Sequence, residues 1–453
     1  MLNLEKVKIC YKEYKDKRAY YQKIDEYYFG NTDKLKNSPY LPNRSNARVS
    51  TNFVQKLVDE EALYSFGNKI TYKAINESQK DAIALIDYYT KNNSACYDSA
   101  IGKRLIEFNL GYELSFITKD GRFKNKWLTP LEANGYINEY GELEYFLYIY
   151  KVGDKEYIDV YDDKYVYYLD DTFNILETKA HNLGTIPVGV GMVDMVRYTE
   201  RNGYIEGDKT IFRTIKTLQD ALEQNLSDIT QEITDFHNAI LKFYGIDLED
   251  EVDANGEIKV DALGRPIKRE PIVSNNSILY FEDKTENDAQ WLIKDINDTF
   301  IKNTRDDIKD LIYTLTNHID NNEKLSSNLS GIALRSKLQC LESRVKSNEN
   351  AMEDILRKRL QCLFNYLRVL SIGDFDENLI AIEFTPCVPQ DISVIADVIA
   401  KIPHEVLSNE TKRGLLPYVN NLQAEQDKID KEKEKEEPIF SLDRIGGEDN
   451  GEI

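Results

Sequence analysis

The chain has 453 residues, 41% hydrophobic and 30% charged, with a formal net charge of -21; that is enough apolar content for roughly two to four domains with a heavily solvated exterior. The acidic balance argues against a protein that holds nucleic acid statically, because phosphate neutralisation by a basic surface supplies most of such affinity. Five scattered cysteines, odd in number and never spaced C-x-x-C, exclude a disulfide framework and a standard zinc site. No apolar run approaches the ~18 residues of a membrane span, and the opening "MLNLEKVKICYKEYKDK" carries charge where a signal peptide needs its apolar core. A soluble protein made and used in a cytoplasm is the expectation.

In chain order, "NLEKVKICYKEYKDKRAYYQKIDEYYFG" reads as helix ending at Gly30, a C-cap. A turn-rich stretch follows. "STNFVQKLVDEEALYSFG" then places Phe53, Leu57, Ala62 and Leu63 near helical spacing, closed by Gly67. Two more helical patterns occupy 77–92 and 95–109. From Gly111 to Glu177 the period changes to two, with Gly and Asp turns between strands. This predicts an antiparallel sheet holding most of the tyrosine, read as cross-strand packing with hydroxyls at the rim. "HNLGTIPVGVGM" makes a loop into a buried strand.

Ile211, Ile215, Leu218, Leu222, Leu226, Ile229, Ile233 and Phe236 then step by three or four, with Asp220, Glu223, Asp228, Glu232 and Asp235 opposite. That predicts a long amphipathic helix with an acidic back. A strand-and-turn insert spans 240–282. A second long helix is predicted over 288–318, with the stripe Ile293, Ile296, Phe300, Ile308, Leu311 and Leu315 and a back charged by Asp295, Asp298, Asp306, Asp307 and Asp310. The small polar stretch "NNEKLSSNLS" leads into the longest predicted helix, Gly331 to about Leu370, which would span roughly 60 Å. Its stripe fades at Lys346–Asn350, where a bend is expected. A short strand, "LIAIEFTPCVP", precedes a helical unit from Asp391 to about Lys431, and a charged, Gly-rich end is expected to be disordered.

Four motifs lack what their chemistry needs. "GYIEGDKT" has three residues between its glycines where a Walker A loop needs four, and Asp208 would repel phosphate; a helix start with Asp208 at the N-cap is the plainer role. "EVDANGEIKVDA" puts Ala262 where a calcium loop needs its bidentate glutamate, so a hairpin is expected. "PHEVLS" has Ser408 where a zincin needs its second histidine. His181, His237, His318 and His404 stand beside different elements. No catalytic constellation, metal site or cofactor site results.

Several strings in order, "YYFGNTDKL", "STNFVQKLVDEEALYSFGNKITY", "HNLGTIPV", "LSGIALRSKLQCLE" and "IEFTPCVPQDISVIADVIAKIPHEVLSNETKRGLLPYVNNLQAEQDKI", resemble the siphovirus-type portal proteins of tailed bacteriophages. The resemblance implies an α+β portal fold and a non-enzymatic ring, usually of twelve copies, at one capsid vertex. It implies a wing over 1–207, a stem helix over 208–237, a β-containing clip over 238–287, a second stem helix over 288–318, a tunnel loop over 319–330, a long kinked wing helix with returning strand over 331–388, a crown over 389–431 and a tail over 432–453. Double-stranded DNA would pass through the ring's axis during packaging and ejection. The implied partners are the terminase large subunit, a head-tail adaptor, and the major capsid and scaffolding proteins, placing the protein in the virion after assembly in the host cytoplasm.

In that frame Asn321, Asn322, Lys324, Ser326, Ser327 and Asn328 would touch passing DNA through exchangeable hydrogen bonds. Without it, 319–330 is a plain interhelical loop with Ser330 capping the next helix. Asp295, Asp298, Asp306, Asp307 and Asp310 are the acidic channel-lining candidates, since a basic bore would trap the polyanion. The clip matches little of the family, and its cations Lys259, Arg265, Lys268 and Arg269 are the candidates for partner contact. Two other classes stay open on the residues alone: a packaging ATPase or nuclease, and a long-helix scaffold.

Overall fold

The computed structural model describes residues 2–40, 45–91, 96–193, 197–198, 205–206, 209–235, 240–244, 250–253, 256–268, 288–292, 298–320, 331–386, 399–403, 406–414, 416, 425–426 and 428–432. The opening helix α1 (Leu4–Tyr28) starts where the Asn3 side chain accepts from the Glu5 and Lys6 backbone N–H groups, satisfying two donors that the first turn leaves orphaned. Its buried side chains Val7, Cys10 and Tyr14 lie against one sheet, and Tyr21, Ile24, Tyr27 and Tyr28 lie in the main core. One helix thus joins two apolar clusters. After α2 (Asp33–Asn37) comes α3 (Phe53–Phe66), which buries Val54, Leu57, Val58, Ala62 and Phe66. Leu63, expected on the apolar face, is 61% exposed; the true stripe includes Val58 instead, one residue out of the expected phase.

Strand β1 (Thr71–Ala74) precedes α4 (Lys80–Thr90) and α5 (Tyr97–Phe108). The period-two region forms two sheets rather than one. β2 (Leu110–Ile117) sits between β3 (Phe123–Leu128) and β9 (Val188–Met192), while β4 (Ala133–Ile137), β5 (Leu143–Val152), β6 (Lys155–Tyr161), β7 (Tyr165–Asp170) and β8 (Ile175–Ala180) form a sequential antiparallel meander. Each meander connection is short; Val152 pairs with Lys155 across a two-residue turn whose Gly153 has φ +63°, a conformation that suits glycine and the twist of a hairpin. Tyr145, Leu147, Ile149, Ile158, Val160, Tyr167 and Leu169 point from this sheet to α1. The single sheet of the sequence reading divides at β3–β4, where the chain leaves the first sheet at Thr129.

The longest helix, α8 (Gly331–Val369), lies on the three-stranded sheet. Contact is close because β9 carries glycines: a Cβ on Gly189 would stand 2.8 Å from the Ile355 carbonyl oxygen, and one on Gly191 2.6 Å from that of Ala351. The helix buries Val345, Met352, Ile355, Leu356, Leu360, Leu363, Phe364 and Leu367. Its helical assignment is unbroken across Lys346–Asn350, where a bend was expected. The apolar stripe fades there because Asn348 and Glu349 are themselves buried. β14 (Ile380–Glu383) returns to pair with β1.

Two helices stand between these parts in sequence, α6 (Ile211–Asp235) and α7 (Asp298–Thr316), and they pack on each other. The cap of α6 is Thr210, whose Oγ1 accepts from the Arg213 N–H at 3.1 Å; the expected capping residue, Asp208, lies outside the described residues. The second helix begins at Asp298 and not at 288. Asp288–Leu292 is a strand, β13, paired in antiparallel register with β12 (Ile240–Tyr244); cross-strand pairing with the β-prone "ILKFY" overrides the helical spacing of this segment. β10 (Arg197–Tyr198) and β11 (Ile205–Glu206) form a further small ribbon.

Residues 1–386 form one compact unit and 387–453 a second. In the second, α9 (Asn409–Gly414) begins where Ser408 Oγ accepts from the Thr411 N–H at 3.1 Å, and Lys412 reaches the Ile402 carbonyl. Among the described residues no helix is long and apolar enough to cross a membrane.

Candidate functional site

The paired helices α6 and α7, with the chain on either side of 321–330, carry most of the residues singled out in the sequence. On α6, Ile211, Ile215 and Leu222 are fully buried, and Leu218 and Leu226 pack on the same core. Toward its far end the stripe leaves the core, and Ile233 is 64% exposed. The acidic back is only partly exposed. Glu223 is buried, accepting from Thr32 Oγ1 at 2.5 Å, the Thr51 N–H at 3.1 Å and Gln219 at 3.3 Å. Asp220 accepts from the Tyr27 hydroxyl at 2.7 Å and from Lys216 at 3.0 Å. These two carboxylates fasten α6 to the end of α1 and to the segment that follows it, and are unavailable to a channel; Asp228 remains exposed.

On α7 the expected stripe is rotated. Ile312 and Tyr313 are buried and Ile308 packs on the core, whereas Phe300, Leu311 and Leu315 are 68%, 47% and 52% exposed. With ~100° per residue, Phe300, Asp307, Leu311 and Leu315 share one outer face. Asp307 and Asp310 are exposed, and Asp306 is half-buried with Arg305 at 3.5 Å. Asp298 opens the helix, and Asp295 lies outside the described residues, as do Asn321, Asn322, Lys324, Ser326, Ser327 and Asn328.

Where α7 ends, Asn317 takes a left-handed φ of +59° and the His318 N–H bonds the Tyr313 carbonyl at 3.1 Å, a Schellman-type stop with Asn in place of Gly. The His318 ring is buried beside Glu61 of α3. Glu61 accepts from Arg344 Nε at 2.8 Å and Asn348 Nδ2 at 2.5 Å, both on α8, and its Oε2 is 3.8 Å from His318 Nε2. His318 Nδ1 is 2.9 Å from the Thr316 carbonyl oxygen; only a donor suits that contact, so the neutral ring leaves Nε2 as an acceptor with no hydrogen-bond partner among the described residues. Burial lowers the His318 pKa, with Glu61 pulling it back up. This clasp ties α3, the end of α7 and α8 together. The sequence reading missed it, although the polar "KSNEN" interrupting an apolar stripe was its signal.

The insert holds a second arrangement. Three short segments close on each other: Lys259 N–H bonds the Glu251 carbonyl, Ile267 N–H that of Lys259, and Glu251 N–H that of Ile267, at 2.7–2.8 Å. Glu251, Lys259 and Ile267 are spaced eight residues apart, and the bond between the first and the last closes the set. The spacing follows a repeat, "VDANGEIK" and "VDALGRPIK", that the reading for motifs passed over. The hairpin expected in place of a calcium loop is present as the Val252–Ile258 bridge, with Asp253 Oδ1 accepting from the Glu257 N–H at 2.9 Å. Lys259, Arg265 and Lys268 are not free cations: each pairs within the insert, with Glu251 at 2.5 Å, Asp261 at 2.9 Å and Asp250 at 2.9 Å. Arg269 lies outside the described residues. Exposed beside them are Val252, Ile258, Val260 and Leu263, each more than half accessible.

A further ionic centre holds α8 in place. Arg359, 1% exposed, donates from Nε and Nη2 to the two oxygens of Glu113 on β2, both at 2.8 Å, and from Nη2 to Asp98 on α5 at 2.7 Å. Burial raises the Glu113 pKa against the pull of Arg359.

A family model described as phage portal protein, SPP1 Gp6-like, matches residues 7–438. Among solved structures, the chain is similar to one in the neck of an empty GTA particle computed with C6 symmetry, at 10% identity and a TM-score of 0.40, covering 80% of this chain and 88% of that one. It is also similar to one in the virion of a native gene transfer agent particle, at 11% identity and a TM-score of 0.36, covering 80% and 87%. No curated protein matches.

Proposed function

The chain belongs to the phage portal protein family, SPP1 Gp6-like, a structural and not an enzymatic family, and from that premise we propose that its copies close into a ring at one capsid vertex, usually twelve in number, whose axis conducts double-stranded DNA. The observation that carries this reading is the family match over residues 7–438. It is supported by the helix pair α6–α7, which leaves an apolar and acidic face of Phe300, Asp307, Leu311 and Leu315 uncovered within the subunit.

In this reading the part up to residue 207 is the wing, α6 and α7 are the stem, the insert between them is the clip, 319–330 is the tunnel loop and 389–431 the crown. Leu311 and Leu315 pack on the neighbouring subunit, since a ring buries on its neighbours what one copy leaves exposed. Asp306 and Asp310, on the side of α7 next to that face, turn toward the bore, and Asp307 stands at the border between the two. A wall of carboxylates repels the duplex and avoids the deep, salt-dependent traps that neutralised phosphates create. Asn321, Asn322, Lys324, Ser326, Ser327 and Asn328 supply exchangeable contacts to the DNA backbone. The clip docks the terminase large subunit and later the head-tail adaptor through its exposed Val252, Ile258, Val260 and Leu263, with its paired cations Lys259, Arg265 and Lys268 as a polar rim. The wing meets the major capsid and scaffolding proteins. The test is genetic: particles assembled without this protein are expected to lack packaged DNA, with rescue by the gene supplied in trans. Normal filling in its absence contradicts the reading.

A further inference from the structure

The hairpin of β2 and β3 reverses the sign of the chain around it. Over "KDGRFKNK", residues 119–126, the cations Lys119, Arg122, Lys124 and Lys126 stand against Asp120 alone, in a protein of net charge -21. All of these cations are exposed. Lys126 is partly engaged: it donates to the Tyr148 hydroxyl at 2.6 Å, lies over that ring, and its charge acts on Asp159. Among the described residues no ion pair or hydrogen bond engages the side chains of Lys119, Arg122 or Lys124. Other surface cations, such as Lys6, Lys15 and Lys259, each have an acidic partner within 3 Å.

The backbone beside these cations is also unpartnered. β3 is an edge strand, since its sheet runs in the order β3-β2-β9. The Thr118 N–H bonds the Arg122 carbonyl at 2.9 Å, so in the register of the hairpin Lys124 and Lys126 likewise turn their backbone groups to Phe116 and Leu114 of β2. The alternate residues Phe123, Asn125 and Trp127 turn their N–H and C=O groups outward, where no further strand lies among the described residues. Arg122, Lys124 and Lys126 share one face at intervals of about 6.7 Å. Phe123, on the other face, is buried with Phe364 and Tyr366 of α8.

We propose that β3 takes up an extended segment of a partner protein as a further strand, one that carries Asp or Glu at alternate positions. The outward backbone groups call for an extended chain, whose own N–H and C=O groups complete the ladder. The cations at every second residue call for acids at the same period, because one face of an added strand stands directly opposite one face of β3. Another copy's β3 does not fit, since its cations would meet these. Lysine on an edge repels like strands in this way and leaves the edge open to an acidic one. Duplex DNA matches the charge but not the edge, because phosphate oxygens would face the outward carbonyls of β3 with no donor to offer them.

The experiment follows binding to the full chain by fluorescence polarisation with three probes: a peptide of alternating threonine and glutamate, a peptide of the same composition with its glutamates in one run, and a short DNA duplex. The alternating peptide is expected to bind about tenfold more tightly than the block peptide. Proline in place of its threonines, whose N–H groups would bond β3 in an antiparallel addition, should abolish that preference. Arg122→Glu with Lys124→Glu should lose the alternating peptide and gain a peptide in which lysine replaces glutamate, a gain that requires the variant to be folded. Lys8→Glu with Lys12→Glu, the same change of charge at exposed positions of α1, should bind as the parent does. Equal binding of the alternating and block peptides, or an equal loss in the α1 variant, would mark general attraction to positive charge and overturn the proposal. Tighter binding of the duplex, abolished by Arg122→Glu with Lys124→Glu, would make the hairpin a nucleic-acid surface and overturn it as well. A single copy suffices for this binding, so the ring reading stands or falls separately.

Discussion

Replacing Arg359 with methionine keeps an unbranched apolar stem on α8 and removes the guanidinium and its charge. Three contacts go: two to Glu113 at 2.8 Å and one to Asp98 at 2.7 Å. Asp98 is a third exposed at its side chain and can turn to water, but Glu113 is 1% exposed and cannot. Leaving one member of a buried pair unpaired costs about 3–5 kcal/mol. At ~2 °C per kcal/mol for a large domain, the melting temperature should fall by about 6–10 °C. The loss depends on pH in a defined sense. Burial raises the folded pKa of Glu113 even with Arg359 present, and without it the folded carboxyl holds a proton that the unfolded chain releases. Such a group destabilises above its raised folded pKa, and that deficit shrinks as pH falls through it toward the unfolded value. Thermal melts of the variant at pH 8 and pH 5, each against the parent, measure this. The double variant Glu113→Gln with Arg359→Met should recover most of the stability, because both charges leave together. A single variant within about 1 kcal/mol of the parent at pH 8 would refute the reasoning, as would a double variant no better than the single.

Gly191→Ala should destabilise by about 2–4 kcal/mol, read by chemical denaturation, because its Cβ would meet the Ala351 carbonyl oxygen at 2.6 Å between two rigid backbones. Glu107 is buried beside Arg104, and burial lifts its carboxyl to about 7. Its folded pKa lies above its unfolded one, so relative to Glu107→Gln the parent should gain up to about 3 kcal/mol as pH falls from 7 to 4.5, a difference that paired melts detect. Replacing Asp306, Asp307 and Asp310 together with lysine should slow DNA entry in a packaging assay without preventing ring assembly; an unchanged packaging rate would remove the acidic wall from the account.

Much of the architecture was legible because long periodic segments announce themselves. The thirty-nine residues of α8 and the twenty-five of α1 each carried a stripe and an end signal. The errors have physical causes. Asp288–Leu292 runs straight into the helical stripe that starts at Ile293, but "ILKFY", far earlier in the chain at Ile240–Tyr244, offered a cross-strand partner that no local pattern could reveal. Leu311 and Leu315 fit a stripe as well as Ile312 and Tyr313 do, and only the position of α6 decides which pair is buried. Charged residues misled most. Asp220, Glu223 and Glu61 look like solvated surface in the sequence, yet each closes a contact more than two hundred positions away or nearly so, Glu61 to Asn348 and Glu223 to Thr32 among them. Long-range partners leave no trace in spacing. The clip cations Lys259, Arg265 and Lys268 were singled out as candidates for partner contact, and each is paired locally within its own insert.

Electron microscopy of the purified full chain addresses the central claim most directly. End-on views should show closed rings of uniform diameter with a stain-filled axial hole wide enough for a duplex of about 20 Å. Rings without an opening, or monomers and open filaments at every protein and salt concentration tried, would contradict a conduit built from copies of this polypeptide.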